Sequence, residues 1–240
     1  MSGYDEYSPA AEYLHLLSAP MWAQLSVRLA AALADADPAA GTVVEFGAGT
    51  GLGTEVLLKT LPRAPVLVVE PSAHLRAVLL ARLPALPGGE RVTVFPWGAA
   101  DLALPERIAA VIGMNMIGHL APEVRRTLFA DLVPRLAPGA PVVLSVQPPH
   151  TAEPVEVPPY AVAQGELRYE GSGRAMPVGP DRLRWTMTYR TLHVDREIAR
   201  AVAEYDWWIV TADELADELA GAGAVVKVDG DLVIARGPGR

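Results

Sequence analysis

A short apolar strand that runs into alternating glycines constrains the fold of this chain more than any other feature. Residues 43–53 read VVEFGAGTGLG, so two valines and an acid are followed by glycine at every second position. Gly47, Gly49 and Gly51 allow the backbone to turn sharply and to approach a ligand without side-chain obstruction. Because residues 54–60 are predicted to begin a helix, the free N–H groups of its first turn would face the same crevice. A strand, a glycine turn and a helix in this order predict a nucleotide-type pocket.

The glycine spacing differs from that of the dinucleotide fingerprint, G-x-G-x-x-G. Counted from Gly47, the third glycine of that fingerprint falls on Leu52, and counted from Gly49 it falls on Thr54. The pattern present is E-x-G-x-G-x-G, which begins at Glu45. A carboxylate at this position favours a cationic amino group over a pyrophosphate, which it would repel. A turn that binds NAD, or no ligand, is the alternative interpretation.

A second acid completes the pattern on which a family resemblance rests. Residues 66–70 read VLVVE and end in Glu70, where a carboxylate can accept hydrogen bonds from both ribose hydroxyls. These residues resemble the class I S-adenosylmethionine-dependent methyltransferases, whose first motif is E/D-x-G-x-G-x-G and whose ribose-binding acid ends the second strand. The resemblance covers residues 40–147 and points to small-molecule enzymes, such as amino-sugar N-methyltransferases and S-adenosylmethionine-dependent polyketide-tailoring enzymes.

The resemblance implies S-adenosylmethionine as the cofactor and distributes its parts along the pocket. The methionine portion would lie against the first acid and the turn, and the ribose against the second acid. The family's adenine-contacting Asp falls on Gly98 here. Asp101, the backbone at Ala99 or the ring of Trp97 would hold the base instead. The predicted cofactor-binding residues are Tyr7, Glu45, Gly47, Ala48, Gly49, Gly51, Glu70, Pro71, Trp97, Gly98, Ala99 and Asn115.

The loop that follows the fourth strand is predicted to lie against the reactive methyl group, because ligands of open parallel sheets bind outside the carboxyl ends of the strands. Within this loop, His119 has the pKa range of a general base that takes a proton from a hydroxyl or ammonium nucleophile. Its alternative role is to cap the helix that is entered at Pro122. Asn115 would orient the substrate or satisfy the backbone of the loop.

Three tyrosines near the N-terminus, Tyr4, Tyr7 and Tyr13, would fold over the cofactor as a lid or take part in ordinary packing. Tyr13 is the one considered as a hydroxyl donor to the substrate. The predicted catalytic residues are therefore His119, Asn115 and Tyr13. The remaining histidines are scattered without ligand spacing, so no metal site is predicted.

Composition restricts the partners of the chain. The formal net charge is −8 and only two of the 240 residues are lysines, so no basic stripe exists to neutralise nucleic-acid phosphates. The absence of cysteine excludes disulfides, thiolate metal sites and a cysteine nucleophile. Neither a signal pattern nor an uninterrupted apolar run of about 18 residues is present, which predicts a cytoplasmic protein without a membrane span. A small-molecule substrate is the partner that fits.

Alternating strands and helices predict an α/β, Rossmann-like core with a mostly parallel sheet and helices on both faces. Leucines at four-residue spacing predict a first helix over Met21–Ala34, and Thr211 with Glu214 predicts a capping box at the start of the last helix. In residues 183–194 the alternation of side chains places Tyr189 on the same face as Trp185.

The Asp-Gly pair at 229–230 predicts a terminal antiparallel hairpin, which the resemblance implies as the end of a seven-stranded sheet. The predicted units are an N-terminal helical lid (1–40), a cofactor-binding core (41–147), an antiparallel β cap (148–210) and a C-terminal helix with the hairpin (211–240).

The predicted cap interrupts the alternating pattern after strand five. Five prolines between residues 148 and 159 make a stiff entry, and three strands are predicted at 166–170, 183–194 and 198–210. The resemblance implies that such a cap covers the mouth of the substrate site. The alternative is a dimerisation sheet, and a homo-oligomer through the cap is compatible with both roles.

The preferred function is methylation of a small secondary metabolite at O, N or C. The rival within the fold is a cyclase that binds the sulfonium cofactor without transferring its methyl group. An accessory binding subunit is the third class, and the intact glycine turn argues against it.

Overall fold

The structure, a computed structural model, describes residues 5–238, which form two β-sheets and five α-helices. The helices are α1 (Ala11–Leu33), α2 (Leu52–Thr60), α3 (Ala73–Arg82), α4 (Pro122–Leu132) and α5 (Ala212–Gly221). The strands are β1 (Thr42–Phe46), β2 (Val66–Val69), β3 (Val92–Phe95), β4 (Ile108–Gly113), β5 (Pro141–Ser145), β6 (Val155–Gln164), β7 (Leu167–Pro177), β8 (Arg182–His193), β9 (Arg196–Trp208), β10 (Val225–Asp229) and β11 (Leu232–Arg236).

The larger sheet has seven strands in the order β10-β11-β5-β4-β1-β2-β3. Strands β1 to β5 are parallel, whereas β11 pairs antiparallel with both β5 and β10. The strand order reverses at β1, which lies between β4 and β2, and this reversal opens a crevice at the carboxyl edge of the sheet. The predicted Rossmann-like fold with a terminal antiparallel hairpin is confirmed.

Helices cover both faces of this sheet because its central strands are apolar on both sides. Val43 and Val44 are fully buried neighbours, yet they belong to different hydrophobic clusters. Val44 packs with Phe129 of α4 and Leu215 of α5, and Val43 packs with a cluster that includes Leu29 of α1. Successive side chains of a strand point to opposite faces, so a parallel strand buried on both faces is a continuous apolar run.

The second sheet, the cap, has four antiparallel strands in the order β6-β7-β8-β9. The antiparallel cap after strand five is confirmed, but the prediction of three strands is wrong because β6 was not recognised. Pro158 and Pro159 lie in β6 where its pairing with β7 is irregular, between Val157 and Tyr160. Strand β6 is at the edge of the sheet, where a proline without an N–H donor is tolerated.

Helix α1 connects the two sheets and begins ten residues before the predicted start at Met21. Tyr13 and Leu17, near its start, pack against the cap, whereas Leu25 and Leu29 pack against the larger sheet. Within the described chain, Glu6–Leu33 is long and apolar enough to cross a membrane by length and composition alone, a test that core helices also pass. Its apolar face here packs against protein.

Candidate functional site

A cavity of about 970 Å³ lies between the carboxyl edge of the parallel sheet and the inner face of the cap. Its wall is formed by the glycine turn (residues 47–51), the tips of β2 and β4, and aromatic residues of the cap. The N-terminal segment (residues 5–20), which includes the start of α1, completes the wall. The volume is at the upper end of the range for small-molecule sites. It leaves room for a nucleoside together with a second small molecule.

The glycine turn has left-handed backbone angles at all three predicted glycines, with φ of 65° at Gly47, 55° at Gly49 and 83° at Gly51. A Cβ atom built at Gly49 meets nothing within 4 Å, whereas one at Gly51 would lie 2.4 Å from Cδ1 of Leu79. Gly47 and Gly49 line the cavity, as does the intervening Ala48, but Gly51 does not. Gly49 is therefore the open position that faces the cavity, and Gly51 packs the turn against α3.

Side chains from distant elements hold the glycine turn in place. The imidazole of His15 shares a hydrogen bond of 2.9 Å with the Oγ1 hydroxyl of Thr50. The guanidinium of Arg82 donates to the carbonyl oxygen of Thr50 at 2.6 Å and to the carboxylate of Glu55 at 2.7 Å. Sequence reasoning missed His15 and Arg82 because nothing near them in the chain marks their contact with the turn.

Glu70, the predicted ribose-binding acid, links the tip of β2 to the glycine turn. Its carboxylate accepts hydrogen bonds from the backbone N–H of Gly49 at 2.7 Å and of Ser72 at 2.8 Å. Burial raises the pKa of Glu70, and these two donors oppose the rise. Arg76 donates to the carbonyl oxygens of Glu70 and Pro71, each at 2.8 Å, which fixes the loop. Both Glu70 and Pro71 line the cavity.

Glu45, predicted to hold the methionine portion of the cofactor, does not line the cavity. Its carboxylate lies beneath the first turn of α2, where the Oγ1 hydroxyl of Thr54 donates to it at 2.5 Å. A Cβ atom at Gly53 would lie 2.4 Å from Oε1 of Glu45, so a glycine is needed to leave room for the carboxylate. Burial raises the pKa of Glu45 to about 7. The geometry makes Glu45 a support for the turn and α2 and not part of the wall.

At the end predicted to hold adenine, the backbone of Gly98 and Ala99 lines the cavity together with Asp101. Trp97 does not. Its ring stacks on Phe95 with centroids 4.4 Å apart and is 40% exposed. Of the three groups predicted for this end, Ala99 and Asp101 line the cavity, and the indole of Trp97 does not.

The loop after β4 places Asn115 in the cavity wall with a left-handed φ of 56°. The backbone N–H of Asn115 donates to the Oγ hydroxyl of Ser145 at 2.7 Å, and that hydroxyl donates to the side-chain Oδ1 at 3.3 Å. Asn, more than most residues, tolerates a left-handed backbone. Buried Ser145 therefore fixes both the backbone and the amide of Asn115.

His119 meets the N-terminal segment inside the cavity. Its Nε2 atom and the hydroxyl of Tyr7 are 2.7 Å apart, and its ring meets the ring of Trp207 edge-on with centroids 4.9 Å apart. Burial lowers the pKa of His119 to about 4, so the imidazole is neutral at physiological pH. A Cβ atom at Gly118 would lie 2.0 Å from the indole of Trp207, so the indole packs there only against glycine.

Of the predicted tyrosines, Tyr7 lines the cavity and Tyr13 does not. Tyr13 is buried between α1 and the cap, where its hydroxyl bonds to Thr191 at 3.0 Å and its ring stacks on Tyr189. Tyr13 therefore packs in the interior instead of facing a substrate, because its helix begins earlier than predicted. Tyr4 lies outside the described residues.

The cap contributes aromatic residues that sequence reasoning did not assign to the site. Tyr160 of β6, Tyr189 of β8 and the pair Tyr205 and Trp207 of β9 line the cavity. Together with Tyr7 and His119 they form what we call the aromatic chamber. The alternation along β8 already placed Tyr189 on one face of the strand, but only the fold shows that this face is the inner one. No group of three His, Asp or Glu side chains among residues 5–238 is arranged to hold a metal ion.

No family model matches the sequence, and no curated protein matches it with significance. Solved structures do match. DesVI of Streptomyces venezuelae is 17% identical with a TM-score of 0.76, over 99% of this chain and 99% of that chain. The CcbJ methyltransferase of Streptomyces caelestis is 19% identical with a TM-score of 0.66, over 91% and 89%. The glycopeptide N-methyltransferase MtfA, in complex with sinefungin, is 22% identical with a TM-score of 0.56, over 90% and 92%.

MtfA also matches in complexes with S-adenosylmethionine and with S-adenosylhomocysteine. Because the identities are below 25%, the likeness shows the fold. This chain has the fold of S-adenosylmethionine-dependent methyltransferases, and the predicted resemblance is confirmed at that level.

Proposed function

We propose that this chain is an S-adenosylmethionine-dependent methyltransferase that acts on a small molecule. The observation that carries the proposal is the contact between the open Gly49 and the carboxylate of Glu70, at the point where the strand order reverses. A bare backbone beside a carboxylate with free acceptor capacity suits a nucleoside whose ribose hydroxyls are donors. The chain also shares its fold with a methyltransferase that binds this cofactor.

The residues present fit the cofactor along the whole cavity. The turn residues Gly47 to Gly49 would hold the methionine portion, Glu70 the ribose, and the backbone near Ala99 with Asp101 the adenine. When bound, the cofactor supplies a methyl group activated by its sulfonium. The protein then has to align the acceptor and exclude water, which are the main contributions of an enzyme to such a displacement.

His119, Tyr7 and Asn115 are the polar groups placed to act on the acceptor. His119 and Tyr7 share a short hydrogen bond inside the cavity, and a neutral imidazole can accept a proton from the acceptor or from the phenol. The carboxamide of Asn115 is held by Ser145 and can orient the acceptor by hydrogen bonding. All three residues line the cavity.

The methyl acceptor is proposed to be a secondary metabolite methylated at N, O or C. N-methylation is favoured by the fold shared with the glycopeptide N-methyltransferase. A cytoplasmic location and a homo-oligomer formed through the cap are further proposals.

A cyclase that does not transfer the methyl group is the second candidate. The observation in its favour is the aromatic chamber, because an apolar pocket of this kind can shape a flexible substrate without acid–base chemistry. The neutral imidazole of His119, with a pKa of about 4, is a weak base and is compatible with this alternative.

Incubation of the purified chain with S-adenosylmethionine and candidate acceptors, followed by measurement of S-adenosylhomocysteine, separates the two functions. Methylation requires one S-adenosylhomocysteine for each product formed. Turnover of an acceptor without formation of S-adenosylhomocysteine would exclude methylation and support the cyclase. A chain that shows no heat of binding with S-adenosylmethionine or S-adenosylhomocysteine in calorimetry would contradict both.

A further inference from the structure

The charged side chains that line the cavity are all acidic. Glu6, Glu70, Asp101 and Asp206 are in its wall, and no lysine or arginine is among the described lining residues. The single histidine in the wall, His119, is neutral because its burial lowers the pKa. The potential in the cavity is therefore negative, since low-dielectric walls that carry charge of one sign focus its field.

The four acids are not equivalent. Glu70 and Asp101 lie at the end proposed for the cofactor, whereas Glu6 and Asp206 lie beside the aromatic chamber. The carboxylate of Asp206 contributes little charge to the cavity, because strand side chains alternate between faces and Arg184, on the outer face of the cap, donates to it at 2.7 and 3.1 Å. Glu6 has no hydrogen-bond partner or ion-pair partner in the described part of the chain. Glu6 is exposed as a residue, and partial burial of its carboxyl together with the proximity of Asp206 raises its pKa, as expected for a carboxylate that lacks a cation.

A second observation points to a ligand at the same place. The hydroxyls of Tyr160, Tyr189 and Tyr205 line the cavity and have no hydrogen-bond partner among the described residues. Tyr189 is the sharpest case, since only 2% of the residue is exposed while its phenol faces the cavity. Among the described residues no fully buried side-chain N or O atom lacks a partner, so the unpaired hydroxyl of Tyr189 is open to the cavity, where a ligand or water can complete its hydrogen bonds.

We infer that the acceptor carries a basic amine on an apolar body and no phosphate or carboxylate. This inference rests on the proposed function and names the substrate class for the same site. The ammonium form is attracted by Glu6 and by the π-faces of the aromatic chamber, and the free tyrosine hydroxyls complete its hydrogen bonds. An anionic acceptor, such as a sugar attached to a nucleoside diphosphate, finds no lysine or arginine in the described wall to neutralise it.

The test compares probes of one shape and different charge. The purified full-length chain is first saturated with S-adenosylhomocysteine, and the binding of tryptamine, tryptophol and indole-3-propionate is then measured by calorimetry at pH 7.5. These probes present an indole with an ammonium, a hydroxyl or a carboxylate at the end of a short chain. We expect tryptamine to bind about tenfold more tightly than indole-3-propionate, with the alcohol between them.

Two substitutions locate the preference. Glu6→Gln should reduce the ratio between amine and acid by about threefold, and Tyr189→Phe should weaken the binding of the amine and the alcohol by about fivefold. Glu90→Gln removes one exposed carboxylate outside the cavity wall and is the control for net charge. Tyr13→Phe removes a buried hydroxyl that is bonded to Thr191 and is the control for the loss of a phenol.

The outcomes separate the inference from the proposed function. If S-adenosylhomocysteine does not bind, the proposed function fails. If it binds but indole-3-propionate matches tryptamine, or tryptamine shows no binding at millimolar concentration, the inference is overturned and the cofactor assignment stands. If Glu90→Gln lowers the ratio as much as Glu6→Gln, the preference reflects overall charge, and the assignment to the chamber is overturned.

Discussion

Burial shifts two titratable side chains of this molecule in opposite directions. It raises the pKa of Glu45 to about 7 and lowers the pKa of His119 to about 4. Both shifts have the same physical cause, because removal from water disfavours the charged form of each group. Their effects on stability therefore oppose each other between pH 4.5 and 6.5, where both groups titrate differently in the folded and unfolded chain. Single substitutions are needed to reveal them.

We expect His119→Gln to flatten the acid side of the stability profile. Below pH 6.5 the unfolded chain protonates this histidine, while the folded chain stays neutral until about pH 4. The free energy of unfolding therefore falls as the pH drops through this window, by up to about 3 kcal/mol, and is unaffected above it. Urea unfolding at pH 7.5, 6.0 and 5.0 measures the effect. His150→Gln, at an exposed position, is the control, and an equal fall in wild type and His119→Gln would contradict the expectation.

Loss of the Thr54 hydroxyl should have the opposite pH dependence. Thr54→Val removes the donor to Glu45, which raises the pKa of that carboxyl further and leaves a buried acceptor without its partner. The expected cost is about 1–3 kcal/mol when the carboxyl is ionised. Because a raised folded pKa lowers stability as pH rises from 4.5 through 7, the cost should be larger at pH 8 than at pH 5.5. Urea titrations of Thr54→Val and Thr54→Ser at both values test this. An equal loss in the Ser variant would exclude the hydroxyl as the cause.

Single residues show where sequence reasoning about the site reaches its limit. Glu70 and Gly49 were assigned from local spacing alone, because the strand, the turn and the helix that place them are contiguous in the chain. Trp97 and Tyr13 were misplaced because a neighbour outside their own segment determines where each ring packs. The indole of Trp97 stacks on Phe95, and the phenol of Tyr13 bonds to Thr191 of the cap. Contacts of this kind cannot be predicted from the spacing of residues in the chain.

The glycine turn is the element whose separate roles can be tested directly. In Gly49→Ala the new methyl group would point into the cavity, so we expect binding of S-adenosylhomocysteine to weaken about tenfold or more, equivalent to ~1.4 kcal/mol. The left-handed backbone adds a stability cost of roughly 1–2 kcal/mol. Gly139→Ala is matched, with φ of 73° and no atom within 4 Å of the new Cβ, but it lies outside the cavity wall.

Both variants should therefore lose similar stability in thermal unfolding, and only Gly49→Ala should lose affinity in calorimetry. If Gly49→Ala binds S-adenosylhomocysteine as tightly as the wild-type chain, the cofactor does not approach the turn at Gly49. Equal loss of affinity in both would instead trace the effect to stability.

Two predictions next to prolines were wrong. The first helix was predicted to begin at Met21, after Pro20, yet α1 continues through Pro20, because the residues on each side pack on different sheets and hold the helix together. Pro158 and Pro159 suggested an irregular entry, although an edge strand needs few N–H donors. In contrast, the capping box between Thr211 and Glu214 was predicted correctly, since both partners are within one turn. Local rules succeeded wherever the contacts were local.

At the scale of the whole molecule, the parallel core and the place of the pocket could be predicted, but most of the residues that close the cavity could not. The core strands are apolar runs whose burial depends little on detail, so alternation with helices was enough. The cavity is closed by the N-terminal segment, the glycine turn and the cap, which are distant in sequence. Their juxtaposition depends on α1, whose two halves belong to different hydrophobic clusters.

Because the N-terminal segment closes the cavity, we expect cofactor binding to slow hydrogen exchange in that segment. Tyr7 lines the same cavity as Glu70, and His15 bonds to Thr50 of the glycine turn, so an occupied cavity should favour the closed arrangement. Hydrogen exchange with and without S-adenosylhomocysteine should show slower exchange across residues 5–20 as well as in the turn. The exchange rate of a backbone amide reports how often the segment around it opens locally.

The terminal hairpin, residues 225–236, separates this local effect from global stabilisation. Ligand at about 100 times its dissociation constant stabilises the whole fold by ~2.7 kcal/mol, which slows every amide that exchanges through global unfolding. The hairpin lies at the far edge of the larger sheet and outside the cavity wall, so it records that shared contribution. Protection of residues 5–20 must exceed the protection of the hairpin. Protection confined to the glycine turn and the tip of β2 would mean that the N-terminal segment does not close on the cofactor, and the wall formed by Tyr7 would then belong to the acceptor alone.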